Sequence, residues 1–274
     1  MPESYGGADS YPELLTLPND IEPATAASLK GPIKDLCDRT NFLLRRMASM
    51  NASFNPGRLR SSDGAVVVVS RISGITLYDS APHFDSVASE STTLDKANIE
   101  GAPGDFFGSR HYYVYRTRTG WELSETYPDL DGFKSGGFNT HRYLGAFRTD
   151  AAARIIPFQR VRGMTLYHRP LRVLLTGAAV VKTAVDLSGA IPFRSAEAII
   201  RVLGNATGVG PGEVKLGPQG FDPATDGYVL NVPVGTFETA TYIVPVGIDG
   251  SRKIEYLVDA NTTSATLDVL GYYE

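Results

Sequence analysis

From Arg160 onward the chain is written in short runs of alternating polar and apolar residues. This constrains its fold more than anything else in it. The runs predict strands over 163–167, 171–175, 180–187, 196–203, 213–216, 228–234, 241–246, 253–258 and 264–272. Alternation is cleanest where Ile254, Tyr256 and Val258 interleave with Lys253, Glu255 and Asp259. A period of two places such residues on opposite faces of a strand, one buried and one wet. Turn residues separate the runs, and no amphipathic helical pattern of useful length competes with them. The expectation is a mostly β protein whose residues 161–274 form a C-terminal antiparallel β-sandwich, most simply a jelly roll.

Residues 142–158, RYLGAFRTDAAARIIPF, mark where this pattern begins. They predict two paired strands, 143–148 and 154–158, joined tightly through Thr149 and Asp150. An Asp suits such a turn because its carboxylate accepts nearby backbone N–H groups. Pro157 has no N–H to give, which should end the second strand. Upstream, 51–160 reads as a small β-rich shoulder. It has strands at 65–69 and 72–78, a polar and weakly patterned excursion over 81–103, and a hairpin of 112–118 and 121–124 about Thr119 and Gly120. Tyr113, Tyr115 and Trp121 in that hairpin are candidate glycan-facing aromatics, since each ring offers an apolar face with a polar edge. The competing assignment is a small aromatic core, because strands favour these side chains.

Residues 24–50 carry a helical signal. Thr25 suits an N-cap and Pro32 a first turn. Leu29, Ile33, Leu36, Thr40, Leu43, Met47 and Met50 alternate at spacings of four and three, the heptad seam of an oligomerising, coiled-coil-like helix. A helix packed on its own domain would present a similar stripe. Ahead of it, residues 1–23 mix Tyr5, Tyr11, Leu14, Leu15 and Leu17 with Gly, Pro and acids, without periodicity. A wholly solvated tail would carry fewer large apolar groups, so this segment is expected to be a docking arm.

Composition narrows function. Interspersed charge (26 basic, 30 acidic residues, net −4) forms no basic stripe, which argues against a nucleic-acid partner. A single cysteine, Cys37, rules out an intrachain disulfide. The N-terminus shows no secretory pattern, and the longest apolar stretch, 171–185, is broken by Arg172 and Lys182, so membrane insertion is not expected. The expectation is a soluble protein made in the cytoplasm. No catalytic, cofactor or metal motif stands out. The glycine-rich stretch 205–220 lacks the phosphate-loop spacing. His83, His111, His141 and His168 do not pair at ligand spacing. Asp222, Asp226, Asp249 and Asp259 lack the EF-hand pattern. Glu122, Glu125, Asp129 and Asp131 are acids of the kind that glycan hydrolysis uses in pairs, but they sit beside a hairpin, where acids are ordinary.

Three phrases taken together resemble virion proteins of tailed bacteriophages. YLGAFRTDAAARIIPF is similar to a hairpin recurring in their fibres and other tail or head appendages. LPNDIEPATAASLKGPIKDLCDRTNFLL, 17–44, is similar to an N-terminal segment running into a helix, and LDVLGY, 267–272, to a closing strand of a β-sandwich tip. The resemblance implies a non-enzymatic structural protein of the virion, synthesised in the bacterial host cytoplasm. It further implies a homotrimer, anchored to other virion proteins through the N-terminal arm, whose tip either meets a host surface glycan or protein or decorates the particle. The alternative is a polysaccharide-binding or polysaccharide-degrading module.

Overall fold

The computed structural model describes residues 58–274, apart from 73–74, 79–83, 88–89, 102–103, 118, 130–131, 136–140, 208 and 247–250, together with two short strands nearer the N-terminus. These two, β1 (Ser4–Tyr5) and β2 (Leu15–Thr16), pair antiparallel. The expected helix with its seam, Leu29 to Met50, lies outside the described residues.

The shoulder supplies β3 (Arg58–Ser61), β4 (Val67–Ile72), β5 (Ile75–Tyr78), β6 (Phe84–Val87), β7 (Glu90–Leu94), β8 (His111–Thr117), β9 (Trp121–Ser124), β10 (His141–Arg148) and β11 (Phe158–Val161). The second half supplies β12 (Met164–Gly177), β13 (Thr183–Asp186), β14 (Glu197–Ala206), β15 (Gly212–Pro218), β16 (Tyr228–Val232), β17 (Phe237–Pro245), β18 (Lys253–Val258) and β19 (Thr262–Tyr273). The protein is mostly β, and its named strands pair antiparallel.

In the second half β17-β14-β19-β12 make one layer and β13-β18-β15-β16 the other. Successive strands alternate between layers except at the β15–β16 hairpin, and β19 lies between β12 and β14. This is the connectivity of a jelly roll. Its inward residues, among them Ile200, Val202, Leu267 and Val269 from one layer and Val214, Leu216, Val232 and Ile254 from the other, share one core. At Gly204 of β14 the layers approach so closely that a Cβ would sit 2.5 Å from a Val232 methyl.

The expected strands at 163–167 and 171–175 are one element, β12. Its register with β19 breaks between Leu166 and Leu171, around Pro170, which cannot donate to a ladder. Past β12 the layer continues through β11, β3, β4 and β7, so an eight-stranded sheet runs across residue 160. The excursion at 81–103 also contains more strand than its polar sequence predicts. β6 pairs with β5, and β7 becomes an edge strand on β4, held by buried Leu94.

The segment 142–158 is a joint but not a paired hairpin. β10 belongs to a three-stranded sheet, β10-β8-β9, whereas β11 belongs to the eight-stranded one. Pairing across the turn is confined to the Thr149–Ile155 bridge and two backbone bonds, Asp150 N–H to the Arg154 carbonyl and Ile156 N–H to the Arg148 carbonyl, both at 2.8 Å. Asp150 behaves as expected, its carboxylate accepting from the Ala152 and Arg154 N–H groups at 2.8 and 2.9 Å. Pro157 precedes a strand instead of ending one, and its carbonyl accepts from His168 N–H at 2.9 Å.

The closing segment docks onto this joint. Tyr272 donates to the Ala146 carbonyl at 3.0 Å, Tyr143 donates to Glu274 Oε1 at 2.5 Å, and Arg160 forms an ion pair with Glu274. Gly145 is required where Arg160 crosses β10, since a Cβ there would lie 2.8 Å from the Arg160 Cδ and Nε. Among the described residues no helix is long and apolar enough to cross a membrane.

Candidate functional site

The three-stranded sheet sorts its aromatics by strand parity. Tyr112 and Val114 point into the main core, and Tyr113 and Tyr115 point into a smaller cluster with Tyr143, Ala146 and Phe193. Tyr113 is 4% exposed and Tyr115 is fully buried. The Tyr113 hydroxyl accepts from Phe193 N–H at 3.1 Å, and Tyr115 donates to the Thr126 carbonyl at 2.7 Å. With rings packed on Tyr143 at 6.0 and 5.9 Å, neither presents a face to a ligand. Burial raises the pKa of both phenols, so they persist as neutral hydrogen-bonding groups.

Trp121 differs. It opens β9 just past the turn, keeps part of its surface, and has the Arg116 guanidinium 5.5 Å from its ring centre. It borders a polar cleft of about 550 Å³ lined also by Asn98, Glu100, Thr117, Glu122 and His141. One wall is a 3-10 turn, Lys96–Asn98, fixed by a reciprocal cap. Asp95 accepts from Ala97 N–H at 2.8 Å, while Asn98 Oδ1 accepts from Asp95 N–H at 3.0 Å. Beyond the turn, Glu100 N–H donates to the Leu123 carbonyl at 2.9 Å, which sets the Glu100 side chain beside β9.

Beneath the cleft the charges form a chain. Lys134, with only 10% of its side chain exposed, forms ion pairs with Glu100 and, at 2.7 Å, with Glu122. His141 Nε2 lies 3.3 Å from the other Glu122 oxygen, and Ser124 Oγ donates to Glu100 at 2.7 Å. Burial pushes the Glu100 carboxyl up, but the bonds from Lys134 and Ser124 outweigh it and hold its pKa below the usual carboxylate range. The same pairing holds the Lys134 ammonium above its ordinary value despite burial. A glycoside hydrolase needs one of its two carboxyl groups to keep a proton at working pH. Here an ammonium is shared between Glu100 and Glu122, and it holds the Glu100 carboxylate in its ionised form. The arrangement suits hydrogen bonding to hydroxyl groups beside an indole, which is recognition chemistry.

Of the other acids weighed from sequence, Glu125 lies 3.9 Å from Arg110, Asp129 accepts from Phe133 N–H at 2.9 Å, and Asp131 lies outside the described residues. Asp222 and Asp259 accept from backbone N–H groups of their own turns, and no metal-binding cluster occurs among the described residues. Glu100, Lys134 and His141 escape sequence reasoning because three separate segments deliver them, with no spacing to betray it.

No known protein family and no curated protein matches the chain. Among solved structures, a chain described as "CBM4 structure and function" is 15% identical over 43% of this chain and 75% of its own, with a TM-score of 0.22. A likeness of that size carries no argument about this chain's ligand or fold.

Proposed function

We propose that this chain is a non-enzymatic attachment and structural component of a phage-like particle. Its N-terminal arm anchors it to other virion proteins, its heptad seam assembles it as a trimer, and its β-rich body meets a host surface polysaccharide. The observation that carries the binding part is the shared Lys134. By compensating Glu100 and Glu122 together it leaves a cleft of fixed acceptors beside Trp121, which suits holding a glycan better than cutting one. The three phrases of phage-appendage character support the structural part, and two of them, 142–158 and 267–272, pack against each other at the joint.

The test is binding of the intact chain to purified host-surface polysaccharide, with reducing ends assayed in the same tube. Binding without release, weakened by Trp121→Ala, is the expected result. Release of reducing ends would replace this reading with a depolymerase. Absence of binding to both cells and polysaccharide would move the protein to a decorating or scaffolding role. Light scattering of the intact chain beside a Leu36→Asp, Leu43→Asp double variant tests assembly. The reading requires a trimer that falls to monomer.

A further inference from the structure

Where the shoulder meets the jelly roll, three basic side chains converge on one turn. His111 opens β8 and Arg148 closes β10, and the two are direct cross-strand partners. Facing them is the turn at 187–191, closed by Ala190 and Ile191 N–H groups donating to the Leu187 carbonyl at 2.7 and 3.0 Å. The Arg148 guanidinium lies against Gly189, where a Cβ would come within 3.4 Å of Nη1. The His111 imidazole donates to the Ala190 carbonyl. From the other side Arg252 reaches the Ser188 and Ile191 carbonyls at 3.4 and 3.3 Å, both long contacts, and lies 5.8 Å from the Phe193 ring centre.

Arg148 Nε, Arg252 Nε and His111 Nε2 are all buried and unbonded, and they make up three of the six such side-chain atoms among the described residues. Among those residues Arg148 pairs with no carboxylate at all. Asp186 feels the Arg252 charge and accepts from the Ser188 N–H at 2.7 Å, so the seam sets one carboxylate against two guanidinium groups. Burying guanidinium groups without a counter-charge is costly, and folded proteins satisfy such groups by pairing them. Two unmet guanidinium donors at one seam, Arg148 Nε and Arg252 Nε, are therefore a request for an anion. Access exists, because Gly189 is exposed and Arg148 and Arg252 are each only partly buried.

We propose that Arg148, Arg252 and His111 form a binding site for an oxyanion carried next to a hydroxyl donor. The guanidinium groups supply the fork geometry that carboxylates and phosphates fit. His111 supplies something different. Burial first, then the charges of Arg148 and Arg252, lower its pKa to about 3, so the ring is neutral. With its N–H spent on Ala190, Nε2 is an acceptor, and it suits a hydroxyl beside the anionic group. A hexuronate unit of an acidic polysaccharide has that pairing, and a monohydrogen phosphate ester shares it. This site lies at the opposite end of β8 from the Trp121 cleft and does not depend on it.

Calorimetric titration of the intact chain with a hexuronate oligomer, its neutral hexose counterpart and inorganic phosphate tests the proposal. The hexuronate is expected to bind and the neutral oligomer to bind at least about tenfold more weakly at this seam. Arg148→Gln and, separately, Gly189→Leu, which covers the guanidinium, should each weaken the charged ligand by at least about tenfold. Phosphate binding lost in the same two variants would support the site and assign its anion to the phosphate class. Failure of both anions to bind, or binding indifferent to both variants, overturns the proposal. Arg148→Gln also separates a binding role from a structural one. A residue kept for a ligand should lose no thermal stability when its unpaired charge is removed, whereas a lowered melting temperature would mean the fold itself needs Arg148.

Discussion

The contact of Glu274 with the joint makes a demanding prediction. The Glu274 side chain is 4% exposed and that of Arg160 is 7%, so their ion pair is shielded from water. Arg160 Nε has no partner, which leaves Glu274 as the carboxylate that compensates this guanidinium among the described residues. Glu274→Gln removes the charge while keeping an oxygen to accept the Tyr143 hydroxyl. Its cost is then mainly that of stranding a buried guanidinium, about 3 kcal/mol. Glu274→Ala adds an orphaned Tyr143 O–H, about 1 kcal/mol more. Replacing both charges, Arg160→Met with Glu274→Met, should recover most of the charge cost, because only the Tyr143 O–H, about 1 kcal/mol, is then left without its acceptor. In urea, with a slope of about 3 kcal/mol/M for a chain of this size, Glu274→Gln should lower the midpoint by about 1 M. A drop below about 0.3 M, or a double variant as unstable as the single costs added together, would refute the reasoning and show that water reaches the pair.

Gly145→Ala forces a methyl against the Arg160 side chain and should cost about 2 kcal/mol in the same denaturation assay. Asp150→Ala removes the acceptor of two exposed backbone N–H groups and should cost about 1 kcal/mol, read as a lowered melting temperature. Asp268 gives a pH dependence. It is 1% exposed, and although burial pushes its carboxyl up, hydrogen bonds from Arg172 and Arg201 outweigh that and hold its pKa below the ordinary 3.8. Its stabilisation is therefore fully present above the ordinary value and is lost as pH falls through the folded value. Melting curves between pH 5 and pH 2 should show an acid loss that Asp268→Asn flattens.

The jelly roll was readable from sequence wherever one face of a strand is buried and the other wet. β18 spans Lys253–Val258, where the alternation places it, and β15 was visible inside its glycine-rich surroundings because Val214 and Leu216 alternate with Glu213 and Lys215. β7 was not readable, because ESTTL is mostly polar and its pairing with β4 depends on a distant partner. The joint was located but misdrawn. Local turn chemistry at Asp150 specifies a tight connection, while the partners of its two arms lie elsewhere in the chain, in β8 on one side and in β12 and β3 on the other. Tyr113 and Tyr115 show the same limit in the site. Alternation put them on one face, but whether that face was open depended on Phe193, nearly eighty residues away, and only the fold closes it.

The position of β19 bears on how the molecule is made. It follows both its partners in sequence yet lies between them in the layer, bonded to β14 on one side and to β12 on the other, with Met164 opposite Tyr273. Until it emerges from the ribosome, β12 and β14 each have a bare edge, and edges of this kind invite pairing with the wrong chain. Pairing across so long a stretch of chain is also slow to find. Synthesis thus passes through an interval in which β12 and β14 stand unsealed, and residues Thr262 to Tyr273 convert a sticky intermediate into a closed layer.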